Sequence, residues 1–84
     1  PNPCNPSTSI RLAMEKPGHV RLEIFDVRGH LVQVVHDGHL AAGDHVLEWN
    51  GRDTAGRGAA SGVYFARART AGSYSETRQM TLVK

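Results

Sequence analysis

The sequence predicts an all-β fold in which two antiparallel sheets pack face to face around one core. Apolar residues recur at every second position, the period of half-buried strands, and the longer period of a helix is essentially absent. Glycine, proline, asparagine and aspartate separate the apolar runs every ~8–12 residues, as in small β-sandwiches. A chain of 84 residues is long enough for one small domain. We therefore expect a single domain, residues 1–84, with an immunoglobulin-like sandwich of six or seven strands.

The N-terminal half of the chain contains three predicted strands. The alternating apolar residues of the first two are Ile10, Leu12, Met14, Val20, Leu22 and Ile24. Lys16-Pro17-Gly18 forms the turn between these strands, and Arg28-Gly29 ends the second. Residues 31–35 are apolar on both faces, which predicts a third strand that is covered on both sides. Asp37-Gly38 is interpreted as a turn that follows it.

The C-terminal half contributes a fourth strand and a hairpin. Residues 45–49 alternate, so the single tryptophan, Trp49, is predicted to face the core. Residues 50–58 form a glycine-rich loop, and residues 63–70 and 74–83 pair as a hairpin through residues 71–73. The predicted core residues are Ile10, Leu12, Val20, Leu22, Ile24, Leu47, Trp49, Tyr64, Met80 and Leu82.

Residues 1–6 contain three of the four prolines, so we expect them to run as an extended arm rather than inside a sheet. The chain begins at Pro1 without methionine, and we expect it to be a piece of a longer polypeptide.

Composition excludes several classes of function. The net charge is only +2 and the arginines are scattered along the chain, which argues against nucleic-acid binding. No apolar stretch approaches the ~20 residues of a membrane-spanning helix, so we expect a chain that does not span a membrane. The single cysteine, Cys4, cannot form an internal disulfide.

Motifs for catalysis or cofactor binding are weak. Ser61 lacks the glycine two residues before it that a nucleophile elbow requires. His36-x-x-His39 has a plausible metal-pair spacing, but no further ligand set completes a tetrahedral site. Asn50 and Asp53 are interpreted either as oxygen ligands for calcium or, as we favour, as turn residues bonded to their own backbone. We expect no enzyme activity, no cofactor, no metal and no small-molecule substrate.

Six stretches of the chain, in their order and spacing, together resemble one protein family. They are residues 1–3, 5–8, 20–29, 42–51, 60–65 and 80–84. They resemble the C-terminal sorting domain of the type IX secretion pathway, and they are also similar to the immunoglobulin-like domain of the flagellar hook-capping protein.

The sorting-domain resemblance implies a non-catalytic module at the end of a protein that a Gram-negative bacterium secretes or attaches to its surface. Its partner would be the outer-membrane translocon. By position, Gly62 and Tyr64 match the family's glycine-x-tyrosine motif, and Met80, Leu82 and Lys84 match its terminal strand. A partner reads such a strand by pairing with its edge. The alternative reading, also open, is that Met80 and Leu82 are simply core residues and Lys84 a solvated end.

The chain departs from the family pattern at three positions. Cys4 replaces an aromatic residue, so the arm loses a large anchor. Ala66 and Ala68 stand where large residues are common, which predicts a shallow trough on the core side of that strand. We expect Trp49 and Met80 to shift inward and fill it, although a strand or arm from another copy is the alternative.

A second hypothesis follows from apolar residues outside the predicted core. Such residues, exposed on an outer face, would suit a structural subunit of an extracellular filament whose identical domains exchange strands or arms. The candidate self-assembly residues are Phe25, Val27, Val63, Phe65 and Cys4.

Overall fold

Six strands make up the fold in the computed structural model, which describes residues 7–72 and 74–84. They are β1 (Thr8–Met14), β2 (Gly18–Phe25), β3 (Leu31–Leu40), β4 (Gly43–Trp49), β5 (Gly62–Thr70) and β6 (Ser75–Leu82). The predicted arm, residues 1–6, lies outside the described residues, and so does one residue of the β5–β6 turn.

Two antiparallel sheets form the sandwich. β1 pairs with β4 in a two-stranded sheet, and the other four strands pair in the order β3-β2-β5-β6. The predicted all-β, immunoglobulin-like fold is therefore confirmed.

The core lies between the two sheets, and side chains from both fill it. Its buried apolar residues are Ile10, Leu12, Val20, Leu22, Ile24, Trp49, Tyr64, Ala66, Ala68 and Leu82. Of the predicted core, only Leu47 and Met80 are partly rather than fully buried. Leu47 on β4 and Met80 on β6 still pack against the core.

β3 is longer than predicted because the expected turn at Asp37-Gly38 does not form. The strand runs on to Leu40, with Asp37 opposite Arg21 and Gly38 opposite Val20 on β2. Arg21 donates a hydrogen bond from Nη1 to the Asp37 carboxylate at 3.0 Å. Cross-strand pairing outweighs the local turn preference of the Asp-Gly pair, so the prediction of a turn here was wrong.

The loop after β4 is fixed to the core by Trp49. The indole packs edge-to-face on Tyr64, with ring centroids 5.1 Å apart, and donates from Nε1 to the Arg52 carbonyl at 2.9 Å. Asn50 accepts from the Arg52 amide, and Asp53 accepts from the Ala55 amide. Asn50 and Asp53 thus act as turn residues bonded to nearby backbone, the interpretation that the sequence favoured.

Candidate interaction surfaces

The residues proposed for partner recognition meet at one end of the sandwich, where β5 begins and β6 ends. Tyr64 and Leu82 are buried there, and the Tyr64 hydroxyl donates to the Ala60 carbonyl at 2.6 Å. Met80 packs against the core and is partly buried. These three side chains face inward, so a partner that approaches from outside meets the backbone of β6 rather than their tips.

Gly62 and Lys84 lie at the same end and are more accessible. Gly62 has a φ of 154°, which side-chain-bearing residues rarely adopt, and its Cα pairs with Leu82. The backbone amide of Lys84 donates to the Ser61 hydroxyl at 3.1 Å. Lys84 itself is exposed, so its ammonium group remains available to a partner.

Four strands lie at sheet edges among the described residues: β1 and β4 in the two-stranded sheet, and β3 and β6 in the four-stranded sheet. Of these, β6 pairs only with β5, and β1 pairs only with β4. The side chain of Arg78 reaches across from β6 and donates from Nη1 to the Arg11 carbonyl of β1 at 2.6 Å. This bond occupies one acceptor on the β1 edge, and a charged side chain at an edge is a common device against unwanted strand pairing.

A groove of about 790 Å³ opens beside this bond, between the ends of the two sheets. Leu12, Met14, Ala68, Glu76 and Arg78 are among the residues that line it. A trough beside the small residues was predicted, and it is present at Ala68. Trp49 and Met80 were expected to fill it, and this expectation was wrong.

Side chains from β6 and from the turn before it line this groove instead. Tyr74 donates to Glu76 at 3.1 Å, and Arg78 donates to the other Glu76 oxygen at 3.1 Å. Trp49 packs on Tyr64, and neither Trp49 nor Met80 lines the groove. Arg78 lies directly opposite Ala66 in the β5–β6 pair, so its long side chain projects on the same side of the sheet as the small side chains of Ala66 and Ala68.

The outer face of the four-stranded sheet, the side turned away from the core, carries most of the predicted self-assembly residues. Phe25 and Phe65 lie directly opposite each other on β2 and β5, and Val63 points to the same side as Phe65. All three are half-buried. Val27 lies instead in the turn after β2 with 69% of its surface exposed, and Cys4 lies outside the described residues.

An arginine cluster surrounds a glutamate on this same face. Glu23 retains only 4% of its exposure, although it points away from the core. Its carboxylate accepts hydrogen bonds from Arg21 at 2.9 Å, from Arg67 at 3.0 Å and from Arg69 at 3.2 Å. The Arg67 guanidinium also lies over the Phe25 ring, 4.7 Å from its centroid.

Burial raises the pKa of Glu23, but the hydrogen bonds from the three arginines and the charge of Arg69 outweigh it and lower the pKa below the ordinary value of 4.5. Sequence reasoning missed this cluster. Its signal is present in the spacing, because Arg21 and Glu23 are two residues apart, as are Arg67 and Arg69, and each pair therefore shares a face of its strand.

The candidate catalytic and metal-binding residues do not come together. Ser61 bonds to the backbone of Lys84, and His36 bonds through Nε2 to the Gly38 carbonyl at 3.1 Å. Within residues 7–72 and 74–84, no group of three or more His, Cys, Asp or Glu side chains is placed to hold a metal ion. The same residues contain no helix that is long and apolar enough to cross a membrane.

These features define an immunoglobulin-like β-sandwich module with open strand edges. Comparison with known protein families identifies the family of this module. The family model described as the FlgD Ig-like domain matches residues 6–74. The chain therefore belongs to the FlgD Ig-like domain family, which is the second of the two resemblances found in its sequence.

One solved structure similar to this chain is the crystal structure of FLGD from P. aeruginosa. It matches with a TM-score of 0.73 and 23% identity, over 92% of this chain and 60% of that chain. At this identity the likeness shows the fold alone, and the chain spans 60% of the length of that protein. No curated protein matches the sequence.

Proposed function

We propose that this chain is a non-catalytic, protein-binding module that a partner reads through its terminal strand. The observation that carries the proposal is the open edge of β6 in the part of the chain that the structure describes. Backbone groups along such an edge pair readily with a strand from another protein. Membership of the FlgD Ig-like domain family, with its relation to flagellar hook capping, supports a protein–protein role.

The more specific proposal is a sorting and surface-attachment module of a secreted Gram-negative protein, recognised by an outer-membrane secretion machinery. Its support is the sequence resemblance together with the accessible end formed by Gly62 and Lys84. Because Tyr64, Met80 and Leu82 face inward, we assign them to holding β6 in place, with affinity coming from its backbone and from the Lys84 charge.

A reporter fused before residue 1 tests sorting in a bacterium that has the type IX pathway. We expect the reporter at the cell surface, where added protease removes it from intact cells. Lys84→Glu should lower the surface fraction several-fold, whereas Lys16→Glu, the same change at an exposed turn position, should not. A reporter that stays in the periplasm with the intact domain contradicts sorting.

A second candidate function is that of a filament subunit assembled by strand or arm exchange. It is favoured by the edge strands β1 and β6, which both line the groove. Electron microscopy of concentrated protein would show fibres. Discrete monomers at every concentration would contradict this candidate and leave the terminal-strand proposal untouched.

A further inference from the structure

The two outer faces of the sandwich differ in charge and in apolar content. On the β1–β4 sheet, Asp44, Val46 and Glu48 alternate along β4 and are all exposed, with Val46 retaining 60% of its surface. They therefore point to one side, the outer face, with an apolar side chain between two carboxylates. Across from Val46, β1 places Arg11 on the same face.

The outer face of the four-stranded sheet has the opposite character. Its glutamate, Glu23, is covered, while the side chains of Arg21, Arg67 and Arg69 keep 34%, 37% and 47% of their exposure. A molecule that approaches this face meets guanidinium groups first. The Phe25 and Phe65 rings lie next to these cations and supply an apolar surface.

The net charges of the two faces are opposite in sign. The β1–β4 face has two carboxylates, Asp44 and Glu48, against Arg11, which gives −1. The four-stranded face has three arginines against two carboxylates, which gives +1; its carboxylates are Glu23 and Asp37. The histidines His19 and His39 pair across β2 and β3 on this face, and His19 bonds through Nε2 to the Asp37 carboxylate at 2.6 Å.

We propose that copies of this chain stack head to tail, the outer face of the β1–β4 sheet of one copy lying on the outer face of the four-stranded sheet of the next. The occupant of each face is thus a second copy, selected by complementary charge. The proposal goes beyond terminal-strand recognition, because it uses neither β6 nor the arm, and it differs from strand exchange because each domain keeps all of its own strands.

The spacing of side chains on the two faces allows apolar and ionic contacts to form together. Val46 and Glu48 are two residues apart on one face of β4, and Phe65 and Arg67 are two residues apart on one face of β5. Both separations are therefore about 7 Å. When Val46 of one copy lies against Phe65 of the next, Glu48 comes within reach of Arg67 or Arg69.

The two faces lie on opposite sides of the domain, so the contact is heterologous and repeats without closing. Its area is set by the smaller sheet, which at two seven-residue strands covers roughly 10 by 23 Å. This is below the size of a stable protein interface. The stacking is therefore weak and reversible, and it depends on protein concentration.

Sedimentation velocity at low micromolar and near-millimolar protein tests the proposal. We expect association at the higher concentration that declines on raising salt to about 0.5 M, because exposed charges are screened. Glu48→Lys and Arg69→Gln should each raise the concentration needed for association about tenfold. The matched controls are Glu15→Lys, at an exposed turn position, and Arg57→Gln, in the loop after β4, where 82% of the side chain is exposed. Thermal melting verifies that each variant is folded.

Mixing the two variants gives the sharpest outcome. Glu48→Lys keeps an intact four-stranded face and Arg69→Gln keeps an intact β1–β4 face, so the mixture should form a discrete one-to-one complex. Wild-type protein that stays monomeric overturns the proposal. Association that the controls weaken as much as the two variants do, or a mixture without the complex, also overturns it. Glu48→Lys should leave reporter sorting unaffected. The stacking proposal and the sorting proposal can therefore be contradicted independently of each other.

Discussion

Trp49 is the residue on which the packing between the two sheets depends most. Trp49 keeps only 1% of its surface exposed. It packs on Tyr64, and its indole N–H fixes the loop after β4. Trp49→Ala should cost about 3–5 kcal/mol, because it leaves a large cavity in a small core. The free energy of unfolding of so small a domain is at most about 5–15 kcal/mol. Thermal denaturation measures the loss, and Val46→Ala, at an exposed position of the same strand, should change the melting temperature little.

Glu23 makes the stability depend on pH. Its folded pKa lies below the ordinary value of 4.5, so the carboxylate stabilises the fold above that value, and the contribution is lost as the pH falls through the folded pKa. Glu23→Gln should therefore cost about 2–4 kcal/mol at pH 7, where it leaves three arginines without their shared carboxylate.

Urea denaturation of both proteins at neutral and at acidic pH measures this effect. The difference between wild type and Glu23→Gln should shrink toward zero at a pH below the folded pKa, because the wild-type carboxyl is then also neutral. Asp26 and Asp37, whose pKa values are also lowered, are present in both proteins and cancel in the comparison. A difference that stays constant with pH would contradict the role given to the Glu23 charge.

At the scale of single residues, the two-residue period of the sequence predicted which side chains of a strand face the core. Leu22, Ile24 and Trp49 face the core as expected because alternation alone sets the side of a strand. The Glu23 cluster was not predicted, because it forms only where β2 lies beside β5. The alternation of apolar residues within a strand does not indicate which strands are neighbours in the sheet.

At the scale of elements, the open edges of β1 and β6 are the feature with most consequence. Arg78 bridges them through its bond to the Arg11 carbonyl. Arg78→Ala removes the bonds to the Arg11 carbonyl and to Glu76. It should cost about 1–2 kcal/mol, because the bonds of a half-exposed side chain contribute little, but it should speed aggregation because it uncovers the β1 edge. Light scattering at a temperature well below melting measures the rate. Arg28→Ala, in the exposed turn after β2, removes the same charge and should leave the rate unchanged.

The elements also show where local sequence signals fail. The Asp37-Gly38 pair has turn-forming residues, yet it lies inside β3 because Arg21 on the neighbouring strand pairs with Asp37. The trough beside Ala68 was predicted from the missing side-chain volume, but the residues that line it from β6 were not. Arg78 lines the groove because the register between β5 and β6 places it opposite Ala66.

At the scale of the whole molecule, the two sheets share one core but no strand. Each sheet is held internally by its own strand pairs, and the sheets meet through side chains such as Leu12, Leu22 and Trp49. Neither sheet can bury its apolar face alone, so we expect both to unfold in a single cooperative transition. This expectation also bears on the proposed interactions, because a partner or a second copy would then bind an intact sandwich rather than a separated sheet.

Two spectroscopic probes can test this cooperativity in one urea titration. Trp49 fluorescence reports on β4 and the junction between the sheets, whereas far-ultraviolet circular dichroism reports on all six strands. The two transitions should coincide in midpoint and slope, since both follow the loss of the same core. A fluorescence transition at lower urea would mean that the β1–β4 sheet detaches first. The sandwich would then open at the groove beside Arg78, and strand exchange through the β1 edge would become the better account of self-association.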